Sequence, residues 1–177
     1  MYNNLLLKTS KPTIKLLIAD DYELVRIGLR TIFHRDSDFV LLHDAINGDD
    51  AIELALFQKP DVVLMDIKMP FYSGLEAAEI INNTNPDIKI ILISSYEDEE
   101  INFEKLPPNI KGYILKDIVS KELIEVVKLV NSGSYVFSKE ILANYLEFKK
   151  NITDNNINYI VLKHNPFKQK GLKIKAL

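Results

Sequence analysis

The sequence predicts an α/β protein built on a doubly wound, five-stranded parallel sheet. Strand-like and helix-like segments alternate from residue 14 to about residue 130, the order that right-handed crossovers turn into a parallel sheet. The run Val62-Val63-Leu64-Met65 is apolar without interruption, as in strands covered on both faces. Four such runs end on a polar or charged group: Asp20-Asp21, Asp66, Ser94-Ser95 and Lys116. In an open parallel sheet that end of the strands is where ligands bind.

The elements follow in order. Residues 14–19 read as a buried strand. Leu24, Val25, Gly28, Leu29 and Ile32 then recur at helical spacing. Residues 39–42 read as the second strand. Asn47-Gly48-Asp49 is a turn, and Asp49 or Asp50 is placed to cap a helix running to Gln58, which Pro60 stops. Residues 62–66 form the third strand. Leu75 to Asn83 is helical, and residues 89–93 form the fourth strand after the turn Asn85-Pro86-Asp87. Asp98 to Glu104 supports at most a short helix ahead of Pro107-Pro108. Residues 112–115 are the fifth strand. Ser120 is suited to cap a helix with Leu123, Val126, Val127 and Val130 on one face, which Gly133 ends. Ser138 is suited to cap a further helix bearing Ile141, Leu142, Tyr145 and Leu146.

Composition narrows the function. With 177 residues the chain can bury a core without staples. It has no cysteine, which excludes thiol catalysis, zinc-thiolate sites and disulfides and fits the cytoplasm. No targeting segment is evident, and no apolar stretch approaches the ~20 residues that span a bilayer. Residues 1–150 hold 17 basic and 24 acidic side chains, a net of −7, whereas residues 151–177 hold five lysines and one aspartate, a net of +4. By its field the body is a poor nucleic-acid binder. His34, His43 and His164 lie on different elements and read as surface or packing residues.

The strand-end residues describe a site for a divalent cation and a transferable phosphoryl group. A carboxylate can attack phosphorus and form an acyl phosphate, and the transfer depends on positioning and charge neutralisation. Asp20, Asp21 and Asp66 are carboxylates of the kind Mg²⁺ prefers. Lys116 offers a compact positive charge for phosphoryl oxygens, and Ser94 a hydroxyl. Each alone has a structural explanation: helix cap, turn residue, solvated lysine. Their order at the ends of successive strands favours the functional one.

At this point the chain resembles the response regulator receiver domain of two-component signalling, which has the flavodoxin-like fold. The matching stretches are Leu17-Ile18-Ala19-Asp20-Asp21, Leu64-Met65-Asp66-Ile67-Lys68-Met69-Pro70 with Gly74, Ile91-Leu92-Ile93-Ser94-Ser95, and Gly112-Tyr113-Ile114-Leu115-Lys116-Asp117. The resemblance implies that Asp66 accepts a phosphoryl group from a sensor histidine kinase. It implies Asp21, Asp66 and the Lys68 backbone carbonyl as direct Mg²⁺ ligands, with Asp20 acting through water. It implies Ser94 as the hydroxyl that moves towards the phosphoryl group, Tyr113 as the aromatic that swings inward, and Lys116 as the phosphoryl-binding lysine. It implies a phosphoacceptor switch with slow autodephosphorylation rather than a turnover enzyme. Where a glycine is usual in the family, this chain has Phe71.

Val25-Arg26-Ile27-Gly28-Leu29, Gly48-Asp49-Asp50-Ala51 and Ser134-Tyr135-Val136-Phe137-Ser138 are similar to the LuxR/NarL type. The expected organisation is an N-terminal lead over 1–13, a receiver domain over 14–133, a linker helix over 134–150, and a basic tail over 151–177 that is disordered or a truncated output domain. Residues 151–177 show no pair of helices separated by a short turn, so sequence-specific DNA binding is not expected. Output is expected through a homodimer or another protein, on the face formed by the segment around Asp98 to Glu104, the fifth strand and the helix from Ser120. The alternative is a LuxR-type DNA-binding transcription regulator whose output domain is truncated. A phosphatase of the haloacid dehalogenase type, also built on a strand-end aspartate, would need an acid two residues after Asp66, where Lys68 stands. A dinucleotide-binding protein would need a Gly-x-Gly-x-x-Gly that is absent.

Overall fold

A computed structural model describes residues 13–95, 106–118, 120–138 and 159–162. The strands are β1 (Ile14–Ala19), β2 (Phe39–Leu41), β3 (Val62–Asp66), β4 (Lys89–Ser94), β5 (Ile110–Leu115), β6 (Tyr135–Ser138) and β7 (Tyr159–Leu162). The helices are α1 (Glu23–His34), α2 (Gly48–Gln58), α3 (Gly74–Thr84) and α4 (Ser120–Asn131). The sheet is parallel throughout, in the order β2-β1-β3-β4-β5-β6-β7. The doubly wound parallel class is as expected. Among the described residues the sheet has seven strands rather than five.

Alternation along each strand sends successive side chains to opposite faces. Leu17, Ala19, Val63, Met65, Ile90, Leu92 and Tyr113 pack with Ala51 and Ala55 of α2 and Ala77, Ala78 and Ile81 of α3. Leu16, Ile18, Val62, Leu64, Ile91, Ile93 and Ile114 pack on the other face with Phe33 of α1 and Leu123, Val126, Val127 and Val130 of α4. Both layers contain completely buried side chains, each worth roughly 1.5–3 kcal/mol on removal from water. The alanines on α2 and α3 let those helices lie close together and close to the sheet.

Two sequence expectations are corrected beyond β5. Residues 135–138, expected to open a linker helix, form β6, with Gly112 opposite Val136 and Tyr113 opposite Phe137. The aromatic and β-branched content of Tyr135-Val136-Phe137 suits a pleated surface. The helix expected over residues 139–150 lies outside the described residues, as does the short helix expected over 98–104. Within the tail, residues 159–162 form β7, in register with 135–138. The fifth strand is therefore not a sheet edge, so the expected output face is altered along β5.

Smaller differences concern caps and turns. Asn47, rather than Asp49 or Asp50, caps α2: its side chain accepts from the Asp50 N–H at 2.9 Å. Both aspartates lie in the first turn, where their charge favours the helix dipole. Ser120 is the first residue of α4 rather than its cap. Gly133 ends α4 with φ of +100°, a conformation open to glycine. Of the expected surface histidines, His34 and His43 are exposed, and His164 lies outside the described residues.

Phe71 occupies the left-handed region, with φ of +69°, and is 82% exposed. A side chain there costs about 1–2 kcal/mol relative to the right-handed region, a cost that a glycine would not carry. Because the ring has little contact to lose, Phe71→Gly is expected to stabilise the fold by about 0.5–1 kcal/mol after the entropy of an added glycine. Urea unfolding of the two proteins at one pH checks this. A variant no more stable than the parent would show that the ring compensates for its backbone.

Candidate functional site

The strand order places β1 between β2 and β3, so crossovers leave β1 and β3 in opposite directions. This switch point opens a crevice beyond the strands' carboxyl ends. Asp20 follows β1 directly and Asp66 is the last residue of β3. Ser94 ends β4 in register with Leu115, and the Lys116 N–H donates to the Ser94 carbonyl at 2.7 Å. Strand register thus sets Asp20, Asp66, Ser94 and Lys116 side by side at one end of the sheet.

The carboxylate oxygens of Asp20, Asp21 and Asp66 include one set, an atom from each, lying within 4.8 Å of one another. Asp20 is completely buried and Asp66 is 5% exposed, while Asp21 is the most open of the three. The Lys116 ammonium lies 2.7 Å from Asp20 Oδ2 and 2.9 Å from Asp66 Oδ2. Burial pushes the Asp66 carboxyl above its usual range, against the opposing pull of Lys116 and a bond from the Lys68 backbone N–H. Burial alone would lower the Lys116 pKa. The bonds and charges of Asp20 and Asp66 outweigh it and hold the ammonium above its usual range.

Two glycines allow the surrounding loops to close. The Gly74 N–H donates to the Ile67 carbonyl at 2.8 Å, and a Cβ on Gly74 would collide with the Asp66 carbonyl. Gly48 donates to the Pro70 carbonyl at 3.1 Å, and a Cβ there would collide with the Tyr72 backbone. The loop after Asp66 is thereby seated on the start of α2. At α3, Ser73 and Glu76 form a reciprocal capping box, which fixes where that loop ends.

The structure brings Asp20, Asp21, Asp66 and Lys116 into one cluster, with Ser94 buried beside Lys116. Tyr113 is completely buried, two residues before the end of β5, on the side of the sheet packed by α2 and α3. Lys68 contributes its backbone N–H to Asp66. Sequence reasoning missed the part of Arg26, whose Nη1 reaches the carbonyls of Asp20 at 2.8 Å and Asp21 at 3.2 Å. Its position early in the helix after the acidic pair was the available signal.

The donor set fits a divalent cation. Three carboxylates, two of them buried, face one lysine, leaving about two negative charges to balance when all are ionised. Hard oxygen donors of this kind suit a small divalent ion.

Residues 16–128 match the model of the response regulator receiver domain. The chain belongs to that family. It is 38% identical over 128 residues to the transcriptional regulatory protein YxjL of Bacillus subtilis, a match covering 72% of this chain and 59% of that protein. It is 34% identical over 148 residues to LnrK of the same organism, covering 83% of this chain and 67% of the relative. The chain thus spans about three fifths to two thirds of these relatives. Among solved structures, a LuxR-family DNA-binding response regulator from Staphylococcus aureus superposes with a TM-score of 0.61 at 34% identity, over 67% of this chain and 98% of that one. The signal receiver domain of NarL from Mycobacterium tuberculosis gives a TM-score of 0.65 at 25% identity, covering 70% and 99%. The receiver's relatives are of the LuxR/NarL type. No helix among the described residues is long and apolar enough to cross a membrane.

Proposed function

We propose that this receiver accepts a phosphoryl group on Asp66 from a phosphohistidine of a sensor kinase. The supporting observation is the cluster itself: a buried carboxylate at the end of β3, with an ammonium at 2.9 Å and two further carboxylates beside it. One Asp66 oxygen attacks phosphorus, the phosphorus–nitrogen bond breaks, and the imidazole leaves with the bonding pair and takes up a proton. The product is an acyl phosphate. Asp20, Asp21, Asp66 and the Lys68 carbonyl would hold Mg²⁺, whose charge, when bound, offsets the repulsion between carboxylate and phosphoryl oxygens.

Lys116 is already oriented by two carboxylates, so it can turn to a phosphoryl oxygen with little loss of neutralisation. Ser94 supplies the hydroxyl that bonds the same group. Tyr113 reports its arrival through the packing between β5 and β6. The result is a bistable surface rather than a turnover enzyme, acting in the cytoplasm through a homodimer or a partner protein. Incubating the chain with Mg²⁺ and acetyl phosphate, followed by intact mass, tests the central step. One added phosphoryl group is expected, and none with the metal chelated. Labelling that ignores chelation would reject the metal-assisted step.

We also propose that this chain does not read duplex sequence. Reading base edges takes a helix or ribbon fixed in a groove, and the sequence of residues 151–177 carries no pattern of two helices separated by a short turn. Selective retention of one promoter over scrambled DNA at physiological salt would overturn this.

A further inference from the structure

Arg26 binds the acidic pair from behind. Its guanidinium donates to the carbonyl oxygens of both Asp20 and Asp21, at 2.8 and 3.2 Å. The bonds fall on the backbone, not on the carboxylates that converge with Asp66. The same short turn is pinned at three other points. The Asp20 N–H donates to the Ala45 carbonyl at 3.2 Å, the Tyr22 N–H to Asp20 Oδ1 at 2.9 Å, and the Val25 and Arg26 N–H groups to the Tyr22 carbonyl at 3.1 and 3.2 Å. Arg26 is the side chain in this set that holds both acidic residues at once. Tyr22, the N-cap of α1, makes no side-chain capping bond.

We propose that Arg26 is a positioning residue for the cation site. It fixes the Asp20 and Asp21 peptides so that their carboxylates stay turned towards Asp66 despite like-charge repulsion. Both bonds come from Nη1, whose two N–H groups are held in the guanidinium plane, whereas a lysine ammonium is a more strongly hydrated, freely rotating charge on a flexible stem and is less well pre-organised for the pair. The proposal rests on the reading of Asp20, Asp21 and Asp66 as a divalent-cation site.

Position and field make opposite predictions here. Arg26 is a positive charge beside an acidic site, so by field alone its removal would tighten divalent binding and Arg26→Lys would leave it unchanged. If Arg26 acts through geometry, Arg26→Ala weakens binding and Arg26→Lys, though its charge is retained, is weaker than the parent. Groups that orient metal ligands typically contribute 10–100-fold in affinity. The lower end, about tenfold, is expected for Arg26→Ala, with Arg26→Lys intermediate.

The test is magnesium chloride alone, titrated into the full chain and followed by calorimetry and amide shifts. The absence of tryptophan rules out an intrinsic indole signal. The parent, Arg26→Ala, Arg26→Lys and Asp21→Asn are compared, with urea unfolding of each as a check on folding. Weakened binding in both arginine variants is expected. Affinity equal to or tighter than the parent in Arg26→Ala, or unchanged in Arg26→Lys should the alanine variant not fold, overturns the proposal. The Asp21→Asn arm separates the two levels. If that variant binds magnesium as the parent does, the cation reading itself fails, whatever the arginine variants show.

Discussion

Asp66→Asn is expected to abolish phosphoryl incorporation while preserving the fold. The amide has nearly the shape of the carboxylate but is a poor nucleophile, so no acyl phosphate can form. The same substitution has a stability signature that follows from burial. In the folded chain the Asp66 carboxyl is pushed above its ordinary value of 3.8, first by burial. The fold therefore binds that proton more readily than the unfolded chain does, and this contribution to stability declines as pH rises through the window above 3.8. Asparagine lacks the titration. Without added metal, Asp66→Asn should be more stable than the parent at neutral pH, with the difference shrinking on acidification and levelling off below 3.8. Intact mass after acetyl phosphate reads the first effect and urea midpoints against pH read the second. A variant labelled like the parent would move the acceptor elsewhere.

Most of the site is legible in the sequence because it lies at the ends of fully buried strands. Val62 to Met65 and Ile90 to Ile93 are apolar without interruption and almost wholly buried. The polar residue that follows each run marks its carboxyl end, and parallel pairing brings those ends together. The signal for Arg26 is weaker, only its position early in the helix after the acidic pair, because its part depends on the reach of a long side chain back over a turn. Phe71 is visible as a departure from the family pattern, but only the φ of +69° shows the backbone cost of a side chain there. The cap of α2 was expected at Asp49 or Asp50, but the side-chain oxygen that accepts from the first turn is that of Asn47, one step outside the helix.

The strands beyond β5 were misread for a different reason. Tyr135 to Ser138 and Tyr159 to Leu162 are four residues each, short enough that periodicity cannot separate strand from helix or irregular chain. Tyr135-Val136-Phe137 did carry β-branched and aromatic character. Tyr159-Ile160-Val161-Leu162 is apolar but set among asparagines and lysines, so composition argued against order. Both become strands by pairing along a sheet already present, a tertiary effect that local sequence does not encode.

Lys116→Met is expected to give the largest loss of stability among the site substitutions. The ammonium stands 2.7 and 2.9 Å from two buried carboxylates, and methionine would fill much of the same volume without the charge. Removing one partner of a buried ion pair leaves the other uncompensated, at about 3–5 kcal/mol. The lysine side chain is 17% exposed, and the carboxyls can protonate, so about 2–3 kcal/mol at neutral pH is expected. Two consequences separate charge loss from poor packing. Magnesium should restore part of the lost stability by binding the folded state, and acidification should narrow the gap to the parent as the orphaned Asp66 carboxyl, its pKa already raised by burial, takes up a proton. At the alkaline end the sign reverses. The carboxylates hold the Lys116 pKa above 10.5, so the pair's contribution is complete below that value and is lost as pH climbs through the raised one. The parent should show that alkaline loss and the methionine variant should not. Phosphorylation should also slow by about a hundredfold, the usual effect of removing one preorganised charge-stabilising donor. Urea unfolding across pH, with and without magnesium, and the initial rate of labelling decide the matter. Parental stability in the absence of magnesium would mean that the cluster is neutralised without Lys116.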